Sequence, residues 1–362
     1  MPLLTSPYAP EPNSPPDAQG RVGVLLVNLG SPEAPTPAAV RRYLAQFLSD
    51  PRVVELPKAL WAIVLHGIIL RVRPRRSAAK YARIWQADGS PLRQITEAQT
   101  TLLRDELAAR GHVLELAFAM RYGSPAIPAQ LDSLKKAGCD RILILPLYPQ
   151  YAASTTATVV DEVARWLLKT RRQPAIRTVG DFHDDAAYID SLAESLRAHW
   201  HTHGPLGPED RLLISFHGLP AQSEALGDPY AQQCRSTAAQ LAAALELPPE
   251  QVLQTFQSRF GPSTWLQPYT DETVKALAQQ GVRRVDVVCP GFVADCLETL
   301  EEISMEVREV FLLNGGTHFH YIPCLNTRPD WIQALAGLTE THLAGWCQSV
   351  RPELVEGEQP LD

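Results

Sequence analysis

Eight short runs rich in Val, Ile and Leu punctuate this chain, and stretches of helical periodicity lie between most of them. The runs are 22–28 (VGVLLVN), 113–120 (VLELAFAM), 141–145 (RILIL), 175–180 (AIRTVG), 211–216 (RLLISF), 251–256 (QVLQTF), 284–288 (RVDVV) and 319–323 (FHYIP). Most are too short for a helix and lack the strict alternation of a half-exposed strand, so they read as strands covered on both faces. Strand, helix, strand at this spacing means parallel sheets joined by helical crossovers. The eight runs divide into two fours. The expected fold class is therefore α/β: two similar doubly wound domains, residues 20–180 and 181–328, each with a four-stranded parallel sheet. Residues 329–350 read as a final helix, Asp330 to Val350, packing back on the first domain. Residues 1–19 read as a Pro-rich disordered lead-in and 351–362 as a tail. In such sheets ligands bind beyond the carboxyl ends of the strands, so the loops after each run are where chemistry belongs.

Composition narrows the function classes. At 362 residues the chain is long enough for two cores. A formal net charge of −7 argues against a general nucleic-acid binder. Six cysteines (Cys139, Cys234, Cys289, Cys296, Cys324, Cys347) contain no CxxC pair. That spacing supports neither a zinc ribbon nor a disulfide framework, and it suits a reducing compartment. The N-terminal stretch has no apolar signal-peptide core, and no run reaches the roughly 18 apolar residues of a membrane span. The expected location is the cytoplasm. With no GxGxxG anywhere, a nicotinamide-dependent oxidoreductase loses its main support.

The seventh run leads, through Pro290-Gly291, into a helical stretch of unusual charge. At roughly 100° per residue, Asp295, Glu298, Glu302, Glu306 and Glu309 fall within an arc of about 80°. Leu297, Leu300, Ile303, Val307 and Val310 take the other side. No cation on the helix interrupts the ridge. Like charges four apart destabilise a helix, so the ridge is a solvated acidic face or a line of hard oxygen ligands for a divalent cation. Other loops supply other chemistry. The fifth run ends in Ser215-Phe216-His217-Gly218-Leu219-Pro220, which puts an imidazole at a ligand-facing position. Arg121 and Tyr122 follow the second run; Arg121 is a carboxylate fork or a structural ion-pair partner. Pro146 to Tyr151 make a stiff aromatic wall, with Thr155 and Thr156 placed to cap the next helix. Asp184 and Asp185 have N-cap character. The cluster His199, His201, His203 reads as a helix C-terminus at Gly204-Pro205, with a metal site as the alternative. Residues 56–76, LPKALWAIVLHGIILRVRPRR, are a buried helix with a basic end or a greasy lip beside an opening that touches an amphipathic anion or a membrane surface. In a 2-1-3-4 strand order the first and third strands of a domain are neighbours, so His217 and Glu298 would face each other across a cleft. A base opposite carboxylates, ringed by aromatics, suits a flat aromatic polyacid that trades protons for a metal.

These motifs closely resemble those of the bacterial protoporphyrin ferrochelatases. The resemblance rests on VGVLLVNLGSPE, RYGSP, PLYPQYAASTT, SFHGLP, GDPYAQQC, FQSRFGPSTWLQPYTDET and CPGFVADCLETLEEI, and runs over residues 20–345. It implies a lyase-class metal chelatase that inserts Fe2+ into protoporphyrin IX and releases two protons, the last step of haem synthesis, in a cleft between the two domains. His217 matches the family's histidine and Glu298 its partner carboxylate; both would serve catalysis and hold the metal. Glu302, Glu306 and Asp295 would continue the metal path, and the helix would carry a π-type turn. Tyr122 and Trp265 match cleft aromatics. Arg73, Tyr81, Ser90 and Arg121 match the groups that hold the propionates. Leu29 stands where some relatives carry a coordinating Tyr or Met, and Cys296 where some carry His. Ala153 occupies the internal cysteine position of the animal enzymes' [2Fe–2S] cluster, and 351–362 contain no cysteine, so no cofactor is expected. The expected partners are protoporphyrin IX and Fe2+, with peripheral membrane contact and no nucleic acid. A chelatase for coproporphyrin or another tetrapyrrole such as sirohydrochlorin, and a non-catalytic two-lobed metal or haem binder, are the alternatives.

Overall fold

A computed structural model describes residues 8, 10–12, 20–259, 261 and 263–346. The expected tail, most of the lead-in and the last four residues of the expected C-terminal helix lie outside the described residues. All eight strands form: β1 Arg21–Asn28, β2 Glu115–Met120, β3 Cys139–Pro146, β4 Ala175–Thr178, β5 Arg211–His217, β6 Val252–Gln257, β7 Arg284–Val288 and β8 His318–Tyr321. They make two four-stranded parallel sheets with the orders β2-β1-β3-β4 and β6-β5-β7-β8. Both sheets therefore reverse direction next to their first strand, beside β1 and beside β5. A crevice at a strand's carboxyl end opens at such a point.

The near-continuous apolar runs are explained by the two faces. Along β1, Val22, Val24 and Leu26 point into one core while Leu25 and Val27 point into another. The first of these cores also takes Leu143 and Leu145 of β3 and Leu212, Ile214 and Phe216 of β5. It is thus shared by the two sheets. Each sheet then has its own outer core, around Ile142 and Ile144 in the first and around Val285 and Val287 in the second. Alternation is present, but it divides apolar side chains between two covered layers.

The helix Pro329–Leu343 lies in the shared layer, with Trp331, Ile332, Leu335 and Ala336 buried. It touches both halves of the chain. Trp331 stacks on Phe182 and meets Tyr188 edge-on, and Glu340 takes Arg110 and His112 from the end of the helix Pro91–Ala109. The helix stops at Leu343, because Ala344 is extended and Gly345 adopts a φ of +77°. Caps follow expectation in part. Asp185 caps the helix Ala186–His203 by accepting from the Tyr188 N–H. Thr155 opens the helix Thr156–Leu167 without a side-chain cap; its hydroxyl turns back to the Ala152 carbonyl.

Residues 56–76 form the lip, not a buried helix. The helix Lys58–Val64 has no buried residue, a π-turn runs from Leu65 to Ile69, and the helix Leu70–Ile84 continues it. Leu56, Leu60, Ile63, Ile68 and Val72 are all at least half exposed. Among the described residues no helix is long and apolar enough to cross a membrane.

Candidate active site

The acidic stretch is a ten-residue π-helix, Glu298–Val307, followed by an α-helical turn, Arg308–Leu313. Its i→i+5 bonding is wider than an α-helix and is rare outside functional sites. Glu298 is its first residue. The backbone carbonyl of Glu298 accepts from Gln257 Nε2 at 2.8 Å. Gln257 in turn sits directly across from His217 in the β5–β6 register. One buried amide thus links the end of the histidine's strand to the start of the carboxylate helix.

At the end of β5, His217 is half-buried, and its Nδ1 lies 2.7 Å from the Gly218 carbonyl oxygen. A carbonyl only accepts, so Nδ1 is the donor in this bond and Nε2 is the ring nitrogen left for a substrate. The His217 carbonyl is held by the Tyr230 hydroxyl at 2.8 Å, and Phe292 meets the imidazole edge-on. A Cβ on Gly218 would lie 2.8 Å from the Gln257 carbonyl oxygen and 3.3 Å from Trp265 Cε3. Glycine is what lets this turn and the Trp265 ring close on each other.

The opposite wall comes from the first half. Leu29, Tyr43, Tyr81 and Tyr122 share one apolar cluster with Leu297, Leu300 and Met305 from the carboxylate helix. Burial raises the Tyr81 hydroxyl far above its usual pKa, and the Glu298 carboxylate adds to that. Tyr43 is raised by burial as well, with Tyr81 and Glu298 contributing. Both phenols therefore stay neutral beside the carboxylate.

The carboxylates are not equivalent. Glu302 accepts from the Ser258 N–H at 2.7 Å and from the Ser258 hydroxyl. Burial pushes its pKa up to about 7, and the charge of Glu298 outweighs part of what the Ser258 donors restore. Glu306 is paired with Lys80 at 2.7 Å. The ridge thus does meet a cation, supplied by the helix Leu70–Ile84 across the gap, which a single-helix reading cannot see. The same Lys80 lies 3.0 Å from Glu301, and Arg83 lies 2.8 Å from it. Glu301 is 1% exposed. Burial works against the Lys80 charge, but Glu306 and Glu301 together raise its pKa.

Three of the expected site residues are engaged within the protein. Asp295 precedes the helix instead of continuing the ridge, and its carboxylate is consumed internally. It accepts from the Tyr321 hydroxyl, from Asn326 Nδ2 at 2.6 Å, from Thr299 Oγ1 at 3.2 Å and from the Cys324 N–H at 3.3 Å. Such a group fixes a loop, with its Oδ1 taken by three donors and its Oδ2 by Asn326. Arg121 is 6% exposed and bonds to Asp50 at 2.5 Å and to the Thr158 carbonyl at 2.8 Å. Its carboxylate partner is internal, and the Tyr122 hydroxyl joins the same Asp50 oxygen at 3.0 Å. Ser90 is 3% exposed, caps the helix Pro91–Ala109 and bonds to the Ser31 hydroxyl, so it shapes the wall from behind. Arg73, by contrast, is a partly buried residue of the helix Leu70–Ile84, and burial lowers its pKa. Gln257, Ser258, Tyr43, Lys80, Arg83 and Glu301 were not legible as site residues. The spacing of Lys80 and Arg83 on one helix face was their one available signal.

Comparison with known proteins supplies the family and agrees with the fold. The family model described as ferrochelatase matches residues 21–343. A protein named ferrochelatase from Dechloromonas aromatica (strain RCB) is 58% identical over 339 residues, 94% of this chain and 92% of that protein. One of the same name from Methylibium petroleiphilum is 55% identical over 346 residues, 96% of this chain and 94% of the other. Among solved structures, SirB from Bacillus subtilis with Fe3+ superposes with a TM-score of 0.51 at 12% identity, covering 89% of this chain and 96% of that one. At that identity the likeness is one of fold, and it is the same fold. Matched over nearly its whole length by the family model and at more than half identity by curated relatives, the chain belongs to the ferrochelatase family.

Proposed function

We propose that this chain inserts Fe2+ into protoporphyrin IX, with His217 accepting a pyrrole proton and Glu298 facing it from the metal side. Family membership makes the chain a metal chelatase of the lyase class that places Fe2+ in a porphyrin in haem synthesis. The proposal concerns which porphyrin, and which groups move protons. The observation that carries it is the hydrogen bond between His217 Nδ1 and the Gly218 carbonyl. With Nδ1 committed to the Gly218 carbonyl, Nε2 is the ring nitrogen left to meet a substrate at the end of β5. A free porphyrin holds two N–H protons in its ring plane, and both must leave as metal enters. Binding energy from the apolar wall of Leu29, Tyr81 and Trp265, with the buried Tyr122 packed behind it, can be spent on bending the ring so that those protons point at a base. Glu298 would hold Fe2+, and Glu302, poised near neutrality, would pass protons or cation onward towards Glu306. Arg73 is the propionate partner we retain; Arg121, Ser90 and Asp295 act as supports.

The apolar lip favours the less charged protoporphyrin over coproporphyrin, which carries four carboxylates. Initial rates of Fe2+ insertion into the two porphyrins test this. Faster insertion into protoporphyrin IX is expected, and a preference for coproporphyrin would transfer the chain to the alternative reading. The exposed Leu60, Ile63, Ile68 and Val72 beside Arg71, Arg75 and Arg76 support peripheral membrane contact at that lip, consistent with a cytoplasmic enzyme delivering an apolar product. Flotation with anionic vesicles should carry the protein, and an Ile63→Ser, Ile68→Ser variant should stay behind; equal flotation of both would refute it. No [2Fe–2S] cluster enters the proposal. Ala153 stands at the internal position, and the described cysteines Cys139, Cys234, Cys289, Cys296 and Cys324 are buried and unpaired. Cluster absorption in the visible spectrum of the purified protein would contradict that.

A further inference from the structure

The carboxylate line of the π-helix does not end free in solvent. Glu298, Glu302 and Glu306 follow one another at intervals of four residues. Glu306 stands at the end away from Glu298, and its side chain is 44% exposed. Its Oε2 accepts from Lys80 Nζ at 2.7 Å. An ammonium therefore sits on the carboxylate that a divalent cation arriving from solvent would meet first.

Lys80 has a second carboxylate within reach. Glu301 is 1% exposed, and its Oε1 accepts from Arg83 Nη1 at 2.8 Å. Its Oε2 lies 3.0 Å from the same Lys80 Nζ, but without the alignment of a hydrogen bond. A buried carboxylate oxygen left short of a donor is costly. A small rotation of the ammonium would satisfy it and let go of Glu306. Lysine suits such a shift, because its charge is compact and its stem flexible, whereas the arginine fork beside it is planar and directional. Releasing Glu306 thus takes one partner from Lys80 and gives it another.

The neighbouring residue ties this pair to the cleft. Tyr81 is 7% exposed and packs in the apolar cluster with Leu29, Leu297 and Leu300, where burial and then the Glu298 charge raise its pKa. One turn of the helix Leu70–Ile84 therefore meets the inner end of the line through Tyr81 and the outer end through Lys80. Burial raises the Glu302 pKa while the Lys80 charge lowers it, so the ammonium is felt at the middle carboxylate as well.

We propose that Lys80 is a positioning residue for iron entry: its ammonium holds the outer end of the carboxylate line at Glu306, gives way to an incoming divalent cation, and is received by Glu301. The inference rests on the reading of Glu302 and Glu306 as the metal path. No carboxylate is left uncompensated in the exchange, since the cation takes over Glu306 as the ammonium moves to its neighbour. Arg83 keeps Glu301 paired while Lys80 is on Glu306.

Steady-state rates of Fe2+ insertion into protoporphyrin IX by the full-length protein, with each substrate varied in turn, test this. Lys80→Met leaves Arg83 on Glu301 and frees Glu306. The KM for Fe2+ should fall by about threefold, while that for protoporphyrin IX moves by less than about twofold. Lys80→Arg, whose fork can hold Glu301 and Glu306 together, should raise the KM for Fe2+ instead. A purely structural lysine would shift both variants in the same direction, along with their melting temperatures. Glu306→Gln should raise the KM for Fe2+, and adding Lys80→Met to it should change that value no further. An unchanged or raised KM for Fe2+ in Lys80→Met, with Glu306→Gln still raising it, would overturn the role of Lys80 and leave the metal path standing. An unchanged KM for Fe2+ in Glu306→Gln would remove the path itself, and this proposal with it.

Discussion

Glu302 shows how one side chain reports on the cleft. Its neighbours supply two donors from Ser258 and one like charge from Glu298, and burial tips the balance so that its pKa rises to about 7. A group whose native pKa lies above its unfolded value of 4.5 stabilises the fold below that unfolded value. The contribution is then lost as pH rises through about 7. Replacing it by Gln removes the dependence. We expect Glu302→Gln to gain about 1–3 kcal/mol relative to the parent between pH 5 and pH 8, read from urea midpoints. The limb near neutrality in the pH profile of chelation should move or vanish with it. A constant difference across that range would show that Glu302 is ionised and solvated throughout. The position of His217 at the end of β5 was legible at this scale, because a buried strand followed by a Gly-Leu-Pro turn marks the carboxyl edge of the sheet. Asp295 misled because its position on a helical wheel says nothing of the four donors that converge on it from Tyr321, Cys324, Asn326 and Thr299.

The π-helix and the helix Leu70–Ile84 act as a pair. Glu301 and Glu306 on one meet Lys80 and Arg83 on the other, joining the carboxylate line to the lip that borders the opening. Glu301 is buried, while Lys80 and Arg83 are 40% and 51% exposed, so solvent screens part of the attraction. Removing both cations leaves a buried carboxylate without a partner. Lys80→Met, Arg83→Met should lose about 1–3 kcal/mol in chemical denaturation. Adding Glu301→Gln to that variant should recover most of it; no recovery would mean the loss came from packing. The strands were readable to within two residues because a run covered on both faces has little alternative. The lip was not decided, since the same apolar letters serve a buried helix or an exposed one. The ion pairs across the gap were invisible, because they join residues over 200 positions apart.

The two sheets have the same strand order and pack through one common core, sealed by Trp331 and its helix. That rigidity matters because the site is divided between them. Leu29, Tyr81 and Tyr122 come from the first half as an apolar cluster, while His217, Glu298 and Glu302, the groups proposed to handle protons and metal, come from the second. Pattern alone conveyed the doubled architecture, because the strands repeat in two fours. It could not convey that the halves share a core, since each run looks equally apolar whichever layer it faces. A divided site makes binding and chemistry separable. The direct measurement is porphyrin binding and Fe2+ insertion in His217→Ala, by quenching of protein fluorescence and by single-turnover absorbance. The account predicts protoporphyrin affinity within about threefold of the parent and an insertion rate down by at least about a hundredfold. Insertion at the parental rate in that variant would contradict it.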